Sequence, residues 1–247
     1  MKYVLLTMAT SAILFGMPNA SAQSNVTATN GDDAMQTRHS QSLSARQKAI
    51  VPIAAFAAAG DIEKLNTALQ RGLDAGLSIS DCREILVQLY AYAGFPRSLN
   101  ALAELIKVLD ERKQRGIKDI EGKAPGPLPS GNDSLAVGTQ NQSKLIGAPA
   151  KGALFEFSPA IDQYLKAHLF GDIFARDNLD WKSRELATVG ALAAMSGVEV
   201  QLQSHLKISM NVGLTRHQLN QLPQVLETQG DPQASARMQS ALTSMSP

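Results

Sequence analysis

Cysteine is almost missing from this chain: Cys82 is the only one, so no internal disulfide can form and a hydrophobic core must supply the stability. Excess charge is missing too. Removing residues 1–22 takes away Lys2 and no acid, which leaves 22 basic against 22 acidic residues. That balance offers no basic face for a nucleic-acid backbone and no polybasic patch for an anionic membrane. Strand signals are absent, with no alternating Val/Ile/Thr run and no hairpin dipeptide between such runs. There is no Gly-rich phosphate loop and no Gly-x-Ser-x-Gly elbow. His39, His168, His205 and His217 lack ligand spacing, so neither a metal nor a cofactor is expected.

What is present begins with a leader. Lys2 precedes the uncharged, mostly apolar run Tyr3 to Phe15, and Ala20-Ser21-Ala22 is a small-x-small cleavage site. The run is shorter than the roughly 20 residues that span a bilayer. Residues 1–22 therefore read as a signal peptide cleaved after Ala22, and the mature protein is expected in a bacterial periplasm or secreted, free of the membrane. Residues 23–42, polar and nearly without large apolar side chains, read as a disordered lead.

From Leu43 onward the periodicity is helical, and the fold class is all-α. Ser44 caps a helix from Ala45 to Ala59 that is apolar nearly all round, as buried helices are. Ile62, Leu65, Leu69 and Leu73 mark a second helix that Gly76 stops. Ser78 or Ser80 starts a third, Gly94-Phe95-Pro96 interrupts it, and a fourth runs to about Arg115. Residues 116–157 form a long connection, rich in Pro and Gly as far as Gly152 and without sustained period. Further helices are expected from Ser158 to about Phe170, from Asp180 or Ser183 to Met195, and from Val198 to Val212. Thr215 begins a short last helix that Pro223 bends or splits.

The two helical stretches, 43–115 and 158–247, are copies of one unit. Gly76-Leu77-Ser78 matches Gly213-Leu214-Thr215 at a spacing of 137 residues. The same spacing, without gaps, pairs Ala54 with Ala191, Gly60 with Gly197, Leu65 with Leu202, Leu69 with Leu206 and Leu89 with Leu226. The glycine pairs weigh most, because each must fall at the same helix end.

Two segments carry a resemblance: Val200-Gln201-Leu202-Gln203-Ser204-His205-Leu206-Lys207 followed by Asn211-Val212-Gly213-Leu214-Thr215, and Glu84 through Tyr92-Ala93-Gly94-Phe95-Pro96-Arg97. Together with Phe170-Gly171-Asp172-Ile173-Phe174 and Trp181 to Leu186, they resemble the carboxymuconolactone decarboxylase family, which is related to the alkylhydroperoxidases. The resemblance covers roughly 43–115 and 158–228. It implies an alkylhydroperoxidase-like all-α unit, homo-oligomers such as trimers or hexamers, and a pocket between packed units.

The pieces are divided between the copies. His205 is in the second, where the first has Ala68, and Gly-Phe-Pro-Arg is in the first alone. One composite site per duplicated unit is therefore expected. The peroxidase branch needs Cys-x-x-Cys ahead of its histidine, and the matching positions here are Val198 and Gln201, or Asp61 and Lys64 in the first copy. Cys82, near a helix start where the dipole would lower its pKa modestly, has no resolving partner and reads as a small, partly buried residue.

The decarboxylase branch needs no sulfur. Loss of CO₂ from a small lactone or organic acid leaves enolate-like charge that calls for a donor near the carbonyl and a proton at the carbon. His205 is the expected proton shuttle, with Glu185 orienting it. Gln201, one helical turn earlier, shares its face, Tyr92 supplies a hydroxyl, and Arg97 holds a substrate carboxylate. The alternatives are a noncatalytic ligand-binding or assembly protein of the same fold and, weakened by the missing cysteine pair, an antioxidant of the alkylhydroperoxidase type.

Overall fold

The computed structural model describes residues 42–127 and 133–245. The proposed leader and all but the last residue of the polar lead lie outside the described residues. Within them every regular element is helical.

The first unit is α1 (Ala45–Ala59), α2 (Ile62–Asp74), α3 (Ile79–Ala93) and α4 (Phe95–Gln114). The second is α8 (Trp181–Ala194), α9 (Glu199–Asn211), α10 (Arg216–Leu219), α11 (Leu222–Thr228) and α12 (Pro232–Ser244). The helix starts at Ile62, Ile79 and Phe95 recur 137 residues later at Glu199, Arg216 and Pro232. The duplication is thus one of whole four-helix units, with Pro223 in the first turn of α11 and the third helix of the second copy divided into α10 and α11. Gly60 and Gly197 (φ 74° and 81°), and Gly76 and Gly213 (φ 91° and 95°), stand in the left-handed region at matching helix ends, where a side chain would be strained.

Local chemistry sets these elements. Ser44 Oγ accepts from Gln47 N while Gln47 Oε1 accepts from Ser44 N, a capping box for α1. Ser78 and Asp81 do the same for α3, and Thr215 and Gln218 for α10. Asp231 caps α12 through Ala234 N. This last helix, beyond the expected end of the chain's periodicity, buries Ala234, Met238, Ala241 and Leu242 against α8, α9 and α11.

At the centre α1 packs against its counterpart α8 more extensively than any other pair of helices. Ile50 to Ala58 and Ser183 to Ala193 are all buried. The approach is close: a Cβ on Gly190 would stand 2.6 Å from the Val51 carbonyl oxygen. Around this axis α3 packs on α8 and α11 packs on α1, so the chain contains two related seams.

The connection is more structured than its sequence implies. It carries α5 (Ser134–Ile146) and α6 (Ala153–Phe157), ahead of α7 (Pro159–Tyr164). The expected Ser158–Phe170 helix is α7 continued by a π-helix over Leu165–Ile173. The packed face of α5 is Ser134, Gly138, Gln142 and Leu145, mostly small or polar, which lets its backbone lie against the π-helix. Gly138 meets Lys166 O and Gly171 meets Ser134 O with no room for a Cβ. Asn141 Nδ2 donates to Phe170 O at 2.9 Å, and Asn211 on α9 donates to Leu145 O and Ile146 O at 3.0 Å each. The connection therefore lies along the flank of the His205-bearing helix.

Gly190→Ala should lower the free energy of unfolding by about 1–3 kcal/mol, because the added methyl forces α1 from α8. Urea denaturation followed by circular dichroism measures this, and an unchanged midpoint would mean the crossing is looser than described.

Candidate active site

The seam between α3 and α8 is polar along its length. From α3 come Glu84, Gln88 and Tyr92, one helical turn apart; from α8 come Arg184, Glu185 and Thr188. Arg184 is fully buried, so its charge must be met inside the protein. Its Nη2 donates to Glu84 Oε2 at 3.0 Å and to Arg176 O at 3.0 Å, and its Nη1 to Gln88 Oε1 at 3.3 Å. Arg176 approaches the same carboxylate as a fork, Nη2 to Oε1 at 2.7 Å and Nε to Oε2 at 2.8 Å. Gln88 Nε2 donates to Thr188 Oγ1 and to Arg184 O, both at 2.9 Å. Burial alone would raise the Glu84 carboxyl, but the donors of Arg176, Arg184 and Asn178 outweigh it and hold it below the usual carboxylate range.

Two turns along α3 from Glu84, the seam ends at the expected residues. His205 Nδ1 meets Glu185 Oε2 at 2.9 Å, with Glu185 fully buried and His205 9% exposed. The Tyr92 ring stands edge-on to the imidazole, centroids 5.6 Å apart. Its hydroxyl lies toward Thr188 and the Glu185 carboxylate but meets neither with hydrogen-bond geometry. Burial first, then the Glu185 charge, keeps this phenol far above its ordinary pKa, so it is a neutral donor. Glu185 Oε1 is likewise buried without a partner. Two polar atoms beside a histidine thus have hydrogen-bonding capacity that a bound water or ligand can take up.

The other expected residues are placed differently. Gln201 is on the exposed side of α9 and forms no side-chain hydrogen bond. The Arg97 guanidinium lies against Gly60 at the C-terminal end of α1 and makes no hydrogen bond or ion pair with His205, Glu185 or Tyr92. In the second unit Arg237 of α12 donates to Ala193 O at 2.6 Å, at the corresponding end of α8. Both arginines thus sit where a cation complements the helix dipole. The geometry joins three of the five residues, and adds Arg184, Glu84, Gln88 and Thr188 as the frame that holds them.

Cys82 is fully buried, and its thiol is pushed up to about 12 by desolvation and then by the Asp81 and Asp119 carboxylates. The expected lowering by the helix dipole is overridden. Ten residues of α3, about 15 Å of helix, separate it from Tyr92. Among the described residues no group of three His, Cys, Asp or Glu side chains converges to hold a metal ion.

Glu84→Gln strands two guanidinium groups and should cost about 3–5 kcal/mol, whereas Glu84→Met combined with Arg184→Met should cost less than the single change. Because the folded carboxyl titrates below its unfolded value, its contribution is present above about pH 4.3 and is lost as pH falls through the folded value. Urea titrations from pH 7 to 3 should therefore show a steeper loss for wild type than for Glu84→Gln; parallel curves would refute the ion cluster. A thiol reagent should label Cys82 only as fast as the protein unfolds.

Among curated proteins none matches the chain. The sequence model of the carboxymuconolactone decarboxylase family matches it twice, over residues 25–107 and 159–242, once for each unit around the seam. With two copies of that pattern covering more than half of its length, the chain belongs to the carboxymuconolactone decarboxylase family.

Proposed function

We propose that the protein is an enzyme of proton transfer, a carboxy-lyase acting on a small lactone acid or related organic acid. The observation that carries this is the buried Glu185–His205 pair with the unpartnered Tyr92 hydroxyl and Glu185 Oε1 beside it. A carboxylate facing Nδ1 favours the tautomer with Nδ1–H, which leaves the His205 Nε2 for the substrate. In decarboxylation the bond from the ring carbon to the carboxylate breaks, CO₂ leaves, and the electron pair moves into the neighbouring carbonyl. The Tyr92 hydroxyl donates to the developing oxyanion, and His205, having taken a proton from solvent at Nε2, delivers it to the carbon and returns to the neutral tautomer.

A noncatalytic binding protein is the second reading, favoured by the position of Arg97 over Gly60 and the exposure of Gln201, which leave the substrate carboxylate without its expected clamp. Thiol peroxidase chemistry has little support, since Val198 and Gln201 stand at the sulfur positions and Cys82 is sealed in the core. An assembly of several copies accords with the outward-facing Phe95, Leu99 and Ile106 on α4. A periplasmic or secreted location accords with the Lys2 to Ala22 pattern.

The test is CO₂ release from carboxymuconolactone-type acids. His205→Ala should reduce kcat by about 10²–10⁴-fold, and Glu185→Gln should fall in the same direction. Binding without release by wild type would support the second reading, and thiol-driven peroxide turnover would overturn both.

A further inference from the structure

The second seam, between α1 and α11, is the counterpart of the one that holds His205, and its residues have been changed in a concerted way. The 137-residue register sets Lys48 at the position of Glu185, Ala68 at that of His205, and Gln229 at that of Tyr92. A carboxylate has become an ammonium, an imidazole a methyl, and a phenol an amide. This seam borders a cleft of about 300 Å³. Lys48, Ala68 and Gln229 all line it, together with Pro52, Arg71 and Val225, and none of its lining residues is acidic.

The polar groups are arranged asymmetrically. Arg71 Nη1 donates to Gln229 Oε1 at 2.6 Å, which fixes the guanidinium at one side of the mouth. Lys48, half-buried on α1, has no ion-pair or hydrogen-bond partner for its ammonium. Two cations, neither of them ion-paired, border a floor of Pro52, Ala68 and Val225. Such a cleft matches an anion at its mouth and an apolar body within.

We propose that this cavity is a binding site for a small organic carboxylate with an apolar body, separate from the His205 site. The carboxylate pairs with Lys48 and Arg71, and the hydrocarbon portion fills the space that Ala68 vacates. The site has no proton-transfer pair, so it binds without reacting. This inference does not depend on the His205 seam being catalytic.

Calorimetric titration of the full protein with benzoate tests it, using the His205→Ala variant as a second host so that binding at the other seam is removed. Benzoate should bind both hosts alike. Lys48→Met should weaken it about tenfold or more, the loss expected for a charge-assisted contact. Benzyl alcohol and inorganic phosphate, each lacking one half of the ligand, should bind at least tenfold more weakly than benzoate. Ala68→Leu should block the cavity; Lys48→Met, on a half-buried position, keeps the test valid should that core change disturb folding. Benzoate affinity unaltered by Lys48→Met, lost in His205→Ala, or matched by benzyl alcohol or by phosphate would overturn the proposal, as would no binding at millimolar concentration.

Discussion

A guanidinium with no access to water governs the arrangement of this molecule. Arg184 sits in the helix that runs through the centre of the fold, and a charge there is tolerable only with a carboxylate and further acceptors close by. Glu84 supplies the carboxylate from the other copy, and Gln88 and the Arg176 carbonyl accept from the other N–H groups of Nη1 and Nη2, while Nε is left without a partner. Because Glu84 and Gln88 lie on successive turns of α3, the register of α3 on α8 follows from meeting one buried charge. Tyr92, the next turn along, arrives beside Glu185, which is Arg184's neighbour in sequence. Tyr92 is therefore placed beside the Glu185–His205 pair by an electrostatic constraint two turns of α3 away, and the apolar core on either side sets only the distance.

The two copies keep a common backbone and have parted in chemistry. Three helix starts and two left-handed glycines agree to the residue, whereas the side chains at the two seams share almost nothing. Backbone geometry is held by packing on all sides, and the α1–α8 crossing allows no slack. Seam residues answer only to their immediate partners, so whole groups of them can change together. That is how one seam retains a buried Glu–His pair while its counterpart carries Lys48 over an open space.

What was visible in the sequence depended on which physical signal each element uses. The apolar, capped helices α1 to α4 declared their ends through Ser44, Gly76, Ser78 and Gly94. Helix α5 escaped because its packed face is Ser134, Gly138 and Gln142, small and polar where a hydrophobic stripe is sought. Helix α12 was available from Asp231, Pro232 and the spacing of Ala234, Met238 and Ala241, and also from projecting α4 by the repeat register. The pairing of His205 with Glu185 was expected from resemblance. Its frame was not, since Glu84 and Arg184 look like ordinary charges on helices until their burial is known. Arg97 could not be placed from its motif either, since its guanidinium lies against Gly60 at the end of α1 rather than beside His205.

The connection between the units has a consequence beyond its packing. If the same fold were assembled from two identical subunits, every substitution would strike both seams at once, and a lysine good for one would be forced upon the other. Joining the copies through residues 116–157 gives each seam its own alleles. The covalent link converts a symmetric machine with one adjustable surface into an asymmetric one with two, so selection can act on either independently.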